Sequence, residues 1–336
     1  LDARKNLLGA LILVFVVILA LSALPVTSGR PALGTATPSP TNTPTVTSTA
    51  TRTPTSTPTF TPTATATSTP TLTPIPATPT HAPAGYHLWL ASPLVFDSQS
   101  EPYQSDYFPY GADRKPFRLH HGTDYPKPGG TPVTAPAAGI VVVAGTDKEL
   151  LYGARLDFFG NLVILELDRR FQGRAVYVLF GHLSELKVQV GQHVELGDVV
   201  GLVGGTGAAY GATHLHVEVR LGENSYESTR NPLLWLQPAP GQGILAGLVL
   251  DAEGEPVPTQ AISFFRASEP GKWWRETLTY ANREVNPDEA LGENFALGYV
   301  PAGNYLVKAK VGEKTIVRPV TVRPGQIAFV LIQPEE

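Results

Sequence analysis

From Tyr86 onward the sequence never sustains a helical period, and this restricts the fold more than any other feature. Its apolar segments are short and cut by glycine-rich turns: "GTPVTAPAAGIVVVAG", "GNLVILEL", "AVYVLFGHL", "QHVELGDVVGLVG" and "THLHVEVRL". Period-two patterning sets successive side chains on opposite faces of an extended strand, and the glycines between runs supply the turns of antiparallel hairpins. The 32 glycines and 32 prolines among 336 residues agree with an all-β protein, because both residues weaken helix interiors. A boundary falls near "QPAPGQG", residues 237–243. Beyond it "ILAGLVLDAEGEPVP", "AISFFRA", "FALGYVPAGNYLVKAKV" and "TIVRPVTVRPGQIAFVLI" give short strands at roughly even spacing, which predicts a second, smaller β-sandwich.

Two zones of other composition come first. Residues 7–24, "LLGALILVFVVILALSAL", are uncharged, follow Arg4 and Lys5, and are just long enough to span a bilayer as a single transmembrane helix. The cations ahead of the run predict insertion with the rest of the chain exported. A cleaved signal peptide is the competing reading, with Ala20 and Ser22 as small residues for cleavage. From Thr35 to Thr80 the chain collapses to Thr, Pro, Ser and Ala, with Thr at every odd position from 41 to 73. Its prolines would each remove a ladder donor and nothing there can form a core, so a water-exposed stalk is expected. Fully extended it would reach at most roughly 140 Å; dense Thr with Pro also invites O-glycosylation. The expected organisation is a stub and membrane anchor or signal peptide over 1–30, a stalk over 31–84, a larger β domain over 85–238 and a sandwich over 239–336.

A net charge of -4 offers no basic face for phosphates, so no nucleic-acid partner is expected. With no cysteine there is no disulfide and no thiolate ligand, which leaves His, Asp and Glu to hold any metal. In "THLHVEVRL" the alternation places His214, His216 and Glu218 on one strand face and Leu215 and Val217 on the other. An H-x-H strand alone is a weak signal. It strengthens beside "HHGTDY", which adds a histidine and an aspartate, and "VYVLFGHL", which adds His182. Two imidazoles and a carboxylate make a three-ligand zinc site with one open position, able to lower the pKa of water to about 7. No H-E-x-x-H helix supplies a glutamate base, so proton transfer falls to the remaining histidines.

These residues, with "GTPVTAPAAGIVV", "YGARLDFFGNLVILEL", "VYVLFGHLSELKVQVGQHVELGDVVGLVGGTGAAYGATHLHVEVR" and "NPLLWL", resemble the lysostaphin/LytM-type peptidoglycan endopeptidases over residues 95–238. The resemblance implies an antiparallel β metallopeptidase domain of barrel-sandwich-hybrid, duplicated-hybrid-motif type. It also implies one zinc per chain on His120, Asp124 and His216, with His182 and His214 beside the reacting carbonyl. Asn161 falls at the family's "YGN" motif, where a supporting or cleft role is expected. Two positions depart from the family pattern: Phe180 replaces a tyrosine two residues before His182, and Glu166–Leu167–Asp168 follow "NLVI" where a histidine is common. All five site positions are kept, which favours a zinc metalloendopeptidase acting as an extracytoplasmic monomer on peptidoglycan peptide, anchored in the cell envelope, or secreted if the N-terminal segment is cleaved. The alternative is a non-catalytic wall-binding or regulatory module of the same fold. A biotinyl-type carrier, suggested by "VQVGQHVELGDVVGLVG", lacks a lysine at the hairpin tip.

The C-terminal segments "GLVLDAEGEPVP" and "FALGYVPAGNYLVKAKV" resemble carboxypeptidase-regulatory-like modules, implying an Ig/prealbumin-like β-sandwich without histidine or catalytic cluster. Trp273 and Trp274 there are readable as a glycan contact or as core. Of the paired histidines, His120 is the expected ligand, four residues before Asp124 with Gly122 letting the backbone turn. His121 is expected to point away or line the groove. His193 reads as a solvated hairpin residue, and His81 and His87 as bystanders beside the stalk. Tyr103, Tyr107, Phe108 and Tyr110 read as a groove wall or as loop packing.

Overall fold

The alternating segments fold as strands throughout, and between them the regular elements are short 3-10 turns. The structure, a computed structural model, describes residues 87–95, 104–115, 118–209 and 212–335. The apolar run at 7–24, the Thr/Pro tract and His81 lie outside these residues, as does Tyr103. Among the described residues no helix is long and apolar enough to cross a membrane.

The larger sheet runs in the order Thr229–Arg230, His214–Leu221, Val176–Gly181, Asn161–Leu167, Gly139–Thr146, His193–Val194, with Thr123–Pro126 paired to the first half of His214–Leu221. Every pairing in it is antiparallel. Its central strands are apolar on both faces. Val163, Leu165 and Leu167 join Val178 and Phe180 in one core, while Leu162, Ile164 and Leu179 pack with Phe159 on the other side. Along His214–Leu221 the same alternation sends Leu215, Val217, Val219 and Leu221 into the first core. It leaves His216, Glu218 and Arg220 as buried polar groups on the opposite face. Buried charge persists only with partners, and that face therefore predicts an organised site. A small second sheet, Pro132–Thr134, Val199–Leu202 and Glu185–Leu186, backs the larger one.

After residue 241 the chain forms two more sheets. One has the order Phe295–Pro301, Gln242–Val249, Ile327–Ile332, and the other Trp273–Leu278, Ala261–Arg266, Gly303–Val311, Lys314–Val322. Gln242–Val249 pairs with Ile327–Ile332 in parallel, so the two ends of this region lie side by side. Leu245, Val249, Phe295, Leu297, Ala328 and Val330 face the four-stranded sheet in a shared core. The alternate residues Ile244, Ala246, Leu248, Ala296, Ile327 and Phe329 face the other way, into the core that also holds Phe180 and Val217. The three-stranded sheet is thus buried on both faces, which is why "ILAGLVL" reads as one apolar run.

The segment 104–112 runs between the two regions and bonds to both. Toward the larger sheet, Ser105 N donates to Asp124 O at 2.8 Å, Gly111 N to His120 O at 2.7 Å and His120 N to Ala112 O at 2.9 Å. Toward the C-terminal sheets, the Arg275 guanidinium grips Asp106 with two bonds of 2.6 and 2.5 Å, and Ala281 N donates to Gly111 O at 2.7 Å. Tyr110 Oη donates to Asn286 O at 3.2 Å. The loop 280–294 reaches further: Glu289 accepts from Arg174 at 2.6 Å and from Arg230 at 2.9 Å, and Asp288 pairs with His87 at 2.6 Å.

Candidate functional site

Strand register builds the site. Strand His214–Leu221 lies between Thr123–Pro126 and Val176–Gly181, with His216 opposite Asp124 on one side and opposite Gly181 on the other. Opposed residues hold their Cβ atoms about 4.5–5.5 Å apart, within reach of an imidazole and a carboxylate. His120 enters from the turn before Asp124. Its Nε2 lies 3.2 Å from Asp124 Oδ1 and 3.2 Å from His216 Nδ1, and His216 Nδ1 lies 2.9 Å from Asp124 Oδ1. Gly122 lies at a bend in the chain, and it serves this convergence through space as well. Its backbone is outside the left-handed region, and a Cβ there would sit 2.5 Å from His216 Cε1 and 2.5 Å from Val217 O.

The donor set fits a small, borderline cation such as zinc. A tetrahedral ion bonded at about 2.0–2.1 Å holds its donors roughly 3.3–3.4 Å apart, close to the triangle these three atoms form. His216 presents Nδ1 to that triangle and turns Nε2 toward Glu218 Oε1 at 3.3 Å. Glu218 is fully buried and takes two bonds from Arg220, at 2.8 and 2.6 Å. Such a carboxylate behind a ligand imidazole fixes its orientation and raises its basicity. Without an ion, burial works against the proton on His216, but Asp124 and Glu218 outweigh it and push its pKa up to about 9. Burial likewise opposes charge on Asp124, yet His120 and His216 hold its carboxyl well below the ordinary range. On Glu218 the burial effect is overcome mainly by Arg220, and its pKa is lowered.

His182 and His214 stand beside the triangle. The His182 ring centroid lies 4.6 Å from that of His214 and 5.8 Å from that of His216. Burial, then the neighbouring His216 and His214, push the His182 pKa down to about 3, and burial chiefly lowers that of His214. His182 holds a φ of 62°, a region L residues seldom occupy and one that concentrates at functional sites. Its N donates to Phe159 O at 2.8 Å, and its Nδ1 bonds Thr206 O at 2.8 Å. Because a carbonyl only accepts, the proton sits on Nδ1 and His182 Nε2 is left as an acceptor. The His214 Nε2 atom is 3.8 Å from Asp124 Oδ1.

The sequence reading passed over the residues that hold these loops. Asp147, fully buried, accepts from Phe158 N, Phe159 N and Gly160 N at 2.9, 2.7 and 2.9 Å and so shapes the turn whose Phe159 carbonyl receives His182 N. Thr206 receives His182 on its carbonyl, while its Oγ1 accepts from Asn161 N at 2.9 Å and donates to Leu183 O at 3.0 Å. The available signals were an aspartate directly after a strand and a Thr between glycines in "GGTGAAYG". Asn161, expected to support the site, donates from Nδ2 to Leu183 O at 3.0 Å, one residue beyond His182.

His121 is buried rather than free. Its Nδ1 bonds Tyr226 O and Thr229 Oγ1, each at 2.9 Å, its ring stacks on Tyr226, and burial lowers its pKa to about 4. Phe180 belongs to the apolar core, so the missing tyrosine hydroxyl is absent from packing and not from the ligand triangle. Asp168 pairs at 2.8 Å with the exposed His193, and Glu166 with Arg170. His87 is stacked on Trp235 in the interior. Of the aromatics, Phe108 lies flat on the His120 ring at 4.2 Å, Tyr107 is exposed at the groove, and Tyr110 is buried. Trp273 is exposed and Trp274 packs against Tyr305. The histidines and Asp124 open on a groove of about 260 Å³, with Phe108, Phe158 and Tyr226 among its walls.

The profile of "Peptidase family M23" matches residues 118–228, which contain all five of the converging residues. The DD-carboxypeptidase/endopeptidase Mpg of Neisseria meningitidis serogroup B is 35% identical over 129 residues, 38% of this chain and 26% of that protein. Lysostaphin of Staphylococcus simulans is 33% identical over 131 residues, 39% of this chain and 24% of that protein. The chain therefore spans about a quarter of the length of these curated relatives. The solved catalytic domain of lysostaphin from S. simulans aligns at 29% identity over 39% of this chain and 86% of that one, with a TM-score of 0.31. Residues 118–228 with their His-Asp-His cluster are a peptidase family M23 domain, homologous to Mpg and lysostaphin.

Proposed function

We propose that this chain is a zinc-dependent endopeptidase that hydrolyses peptide cross-links of cell-wall peptidoglycan. The observation that carries the reading is the register that sets His216 beside Asp124, with His120 at the same point and His182 and His214 flanking it on an open groove. The relatives' described activities, a DD-carboxypeptidase/endopeptidase among them, support the same substrate class. In this reading His120 Nε2, Asp124 Oδ1 and His216 Nδ1 hold the metal, and His182 and His214 are the catalytic residues. A zinc ion held there with one open position lowers the pKa of water to about 7 and polarises a carbonyl. His182 is neutral at pH 7, and its Nε2 takes the proton from the attacking water and returns it to the leaving amine nitrogen. His214, on the same side, hydrogen-bonds the oxygen that becomes negative as the carbonyl is attacked. Glu218 and Arg220 keep the His216 ring from rotating out of line.

The same reading places the enzyme outside the cytoplasm, with residues 1–30 as anchor or signal, 31–84 as stalk, 85–238 as a duplicated-hybrid-motif peptidase domain and 239–336 as a carboxypeptidase-regulatory-like, Ig/prealbumin-like module. Its test is digestion of purified peptidoglycan followed by mass spectrometry of the muropeptides. New amino termini, one zinc per chain, and their loss in His216→Ala or excess chelator are expected. Undiminished cleavage by His216→Ala would overturn it.

A further inference from the structure

Resting on that reading, we propose that Arg118 is a specificity-determining residue that binds a free carboxylate of the wall peptide within a few residues of the scissile bond.

Among the described groove residues Arg118 is the only lysine or arginine, and Asp124 the only carboxylate. Asp124 is committed to His120 and His216, so Arg118 is the charge left to face a substrate. Apart from the histidines of the cluster and its flanks, the rest of the lining is aromatic, aliphatic or uncharged polar. The guanidinium is exposed, and no ion pair among the described residues engages it.

The backbone holds Arg118 where it is useful. It sits at φ 67°, which a non-glycine residue keeps only when its surroundings over-determine it. They do so here: Arg118 pairs with Arg114 in a two-stranded ladder, and His120 N is bonded to Ala112 O. Arg114 in turn lies over the Tyr107 ring at 4.6 Å, which braces the same rim. With Asp113 and Lys115, this hairpin carries two net positive charges on a chain whose total is -4. Arg118 stands two residues before His120, at most about 7 Å of extended chain. With the length of its own side chain added, a carboxylate it grips belongs to a residue within a few positions of the cleaved bond. The anions a wall peptide offers are its free α-carboxylate and the side-chain carboxylates of its acidic and diamino-acid residues. Arginine meets such a group with two parallel N–H···O bonds.

The experiment compares soluble cross-linked muropeptide dimers with the same dimers after their carboxylates are converted to amides. The full chain should prefer the acid form in kcat/KM by about ten- to a hundredfold, the range for one charge-assisted interaction. In Arg118→Gln the acid-to-amide ratio should fall toward one, with the change mainly in KM, and Arg118→Lys should recover part of it. Calorimetry of both dimers on metal-depleted protein reads the same preference without turnover. Binding preference without any hydrolysis would keep this assignment and sink the proposed reaction. Hydrolysis with equal rates on both dimers, or a ratio unchanged in Arg118→Gln, would overturn the assignment alone.

Discussion

A missing side chain decides whether the triangle of His120, Asp124 and His216 closes. Gly122→Ala places a methyl 2.5 Å from His216 Cε1 and 2.5 Å from a backbone oxygen, so the imidazole must move off its line with Asp124. The expected result is a folded protein whose zinc content, measured by elemental analysis after dialysis, falls well below one per chain. His121→Ala should do the reverse. It removes bonds to Tyr226 O and Thr229 Oγ1, costing about 1–3 kcal/mol of stability in a denaturant titration, and leaves zinc content unchanged. The nearness of His120 to Asp124 was legible because their spacing is local, and the shared strand face of His214 and His216 because alternation is. Asp147 was not, since its work is to accept three backbone N–H groups, and no side-chain motif announces that. The close approach at Gly122 was not legible in the sequence, because contact between segments distant along the chain leaves no trace in spacing.

At the scale of elements, the strands differ in how many faces they bury. Gly303–Val311 and Lys314–Val322 alternate buried and exposed residues, and the sequence shows it as "NYLVKAKV" and "TIVRPVTV". Gln242–Val249 and Ile327–Ile332 are buried almost throughout, and their continuous apolar runs reported two covered faces without saying what covers them. The parallel pairing of those two strands had no local signal either, because it joins segments far apart along the chain. Phe329 tests the second face. It points into the core shared with Phe180 and Val217, so Phe329→Ala should cost about 3–5 kcal/mol in chemical denaturation. The loss should appear in the same transition as unfolding of the metal site, not as a separate earlier step.

Across the whole molecule, the C-terminal sheets and the M23 region are fastened by charge as well as by apolar contact. Arg174 above all, helped by Arg230, outweighs the opposing effect of burial and holds the Glu289 carboxyl at a pKa of about 2, below its ordinary 4.5. A depressed carboxylate stabilises the fold above the unfolded value and loses that contribution as pH falls through the folded one. Between about pH 4.5 and 2 the wild type should therefore lose stability that Glu289→Gln never had, about 1 kcal/mol after screening of this half-exposed group, as read from paired urea titrations. The parallel closure of Ile327–Ile332 on Gln242–Val249 has one more consequence, in time. Pairing between segments this far apart closes a long loop, so in refolding the burial of Ile244, Ala246 and Phe329 in the core shared with Val217 is expected to follow the local hairpins around His214–Leu221.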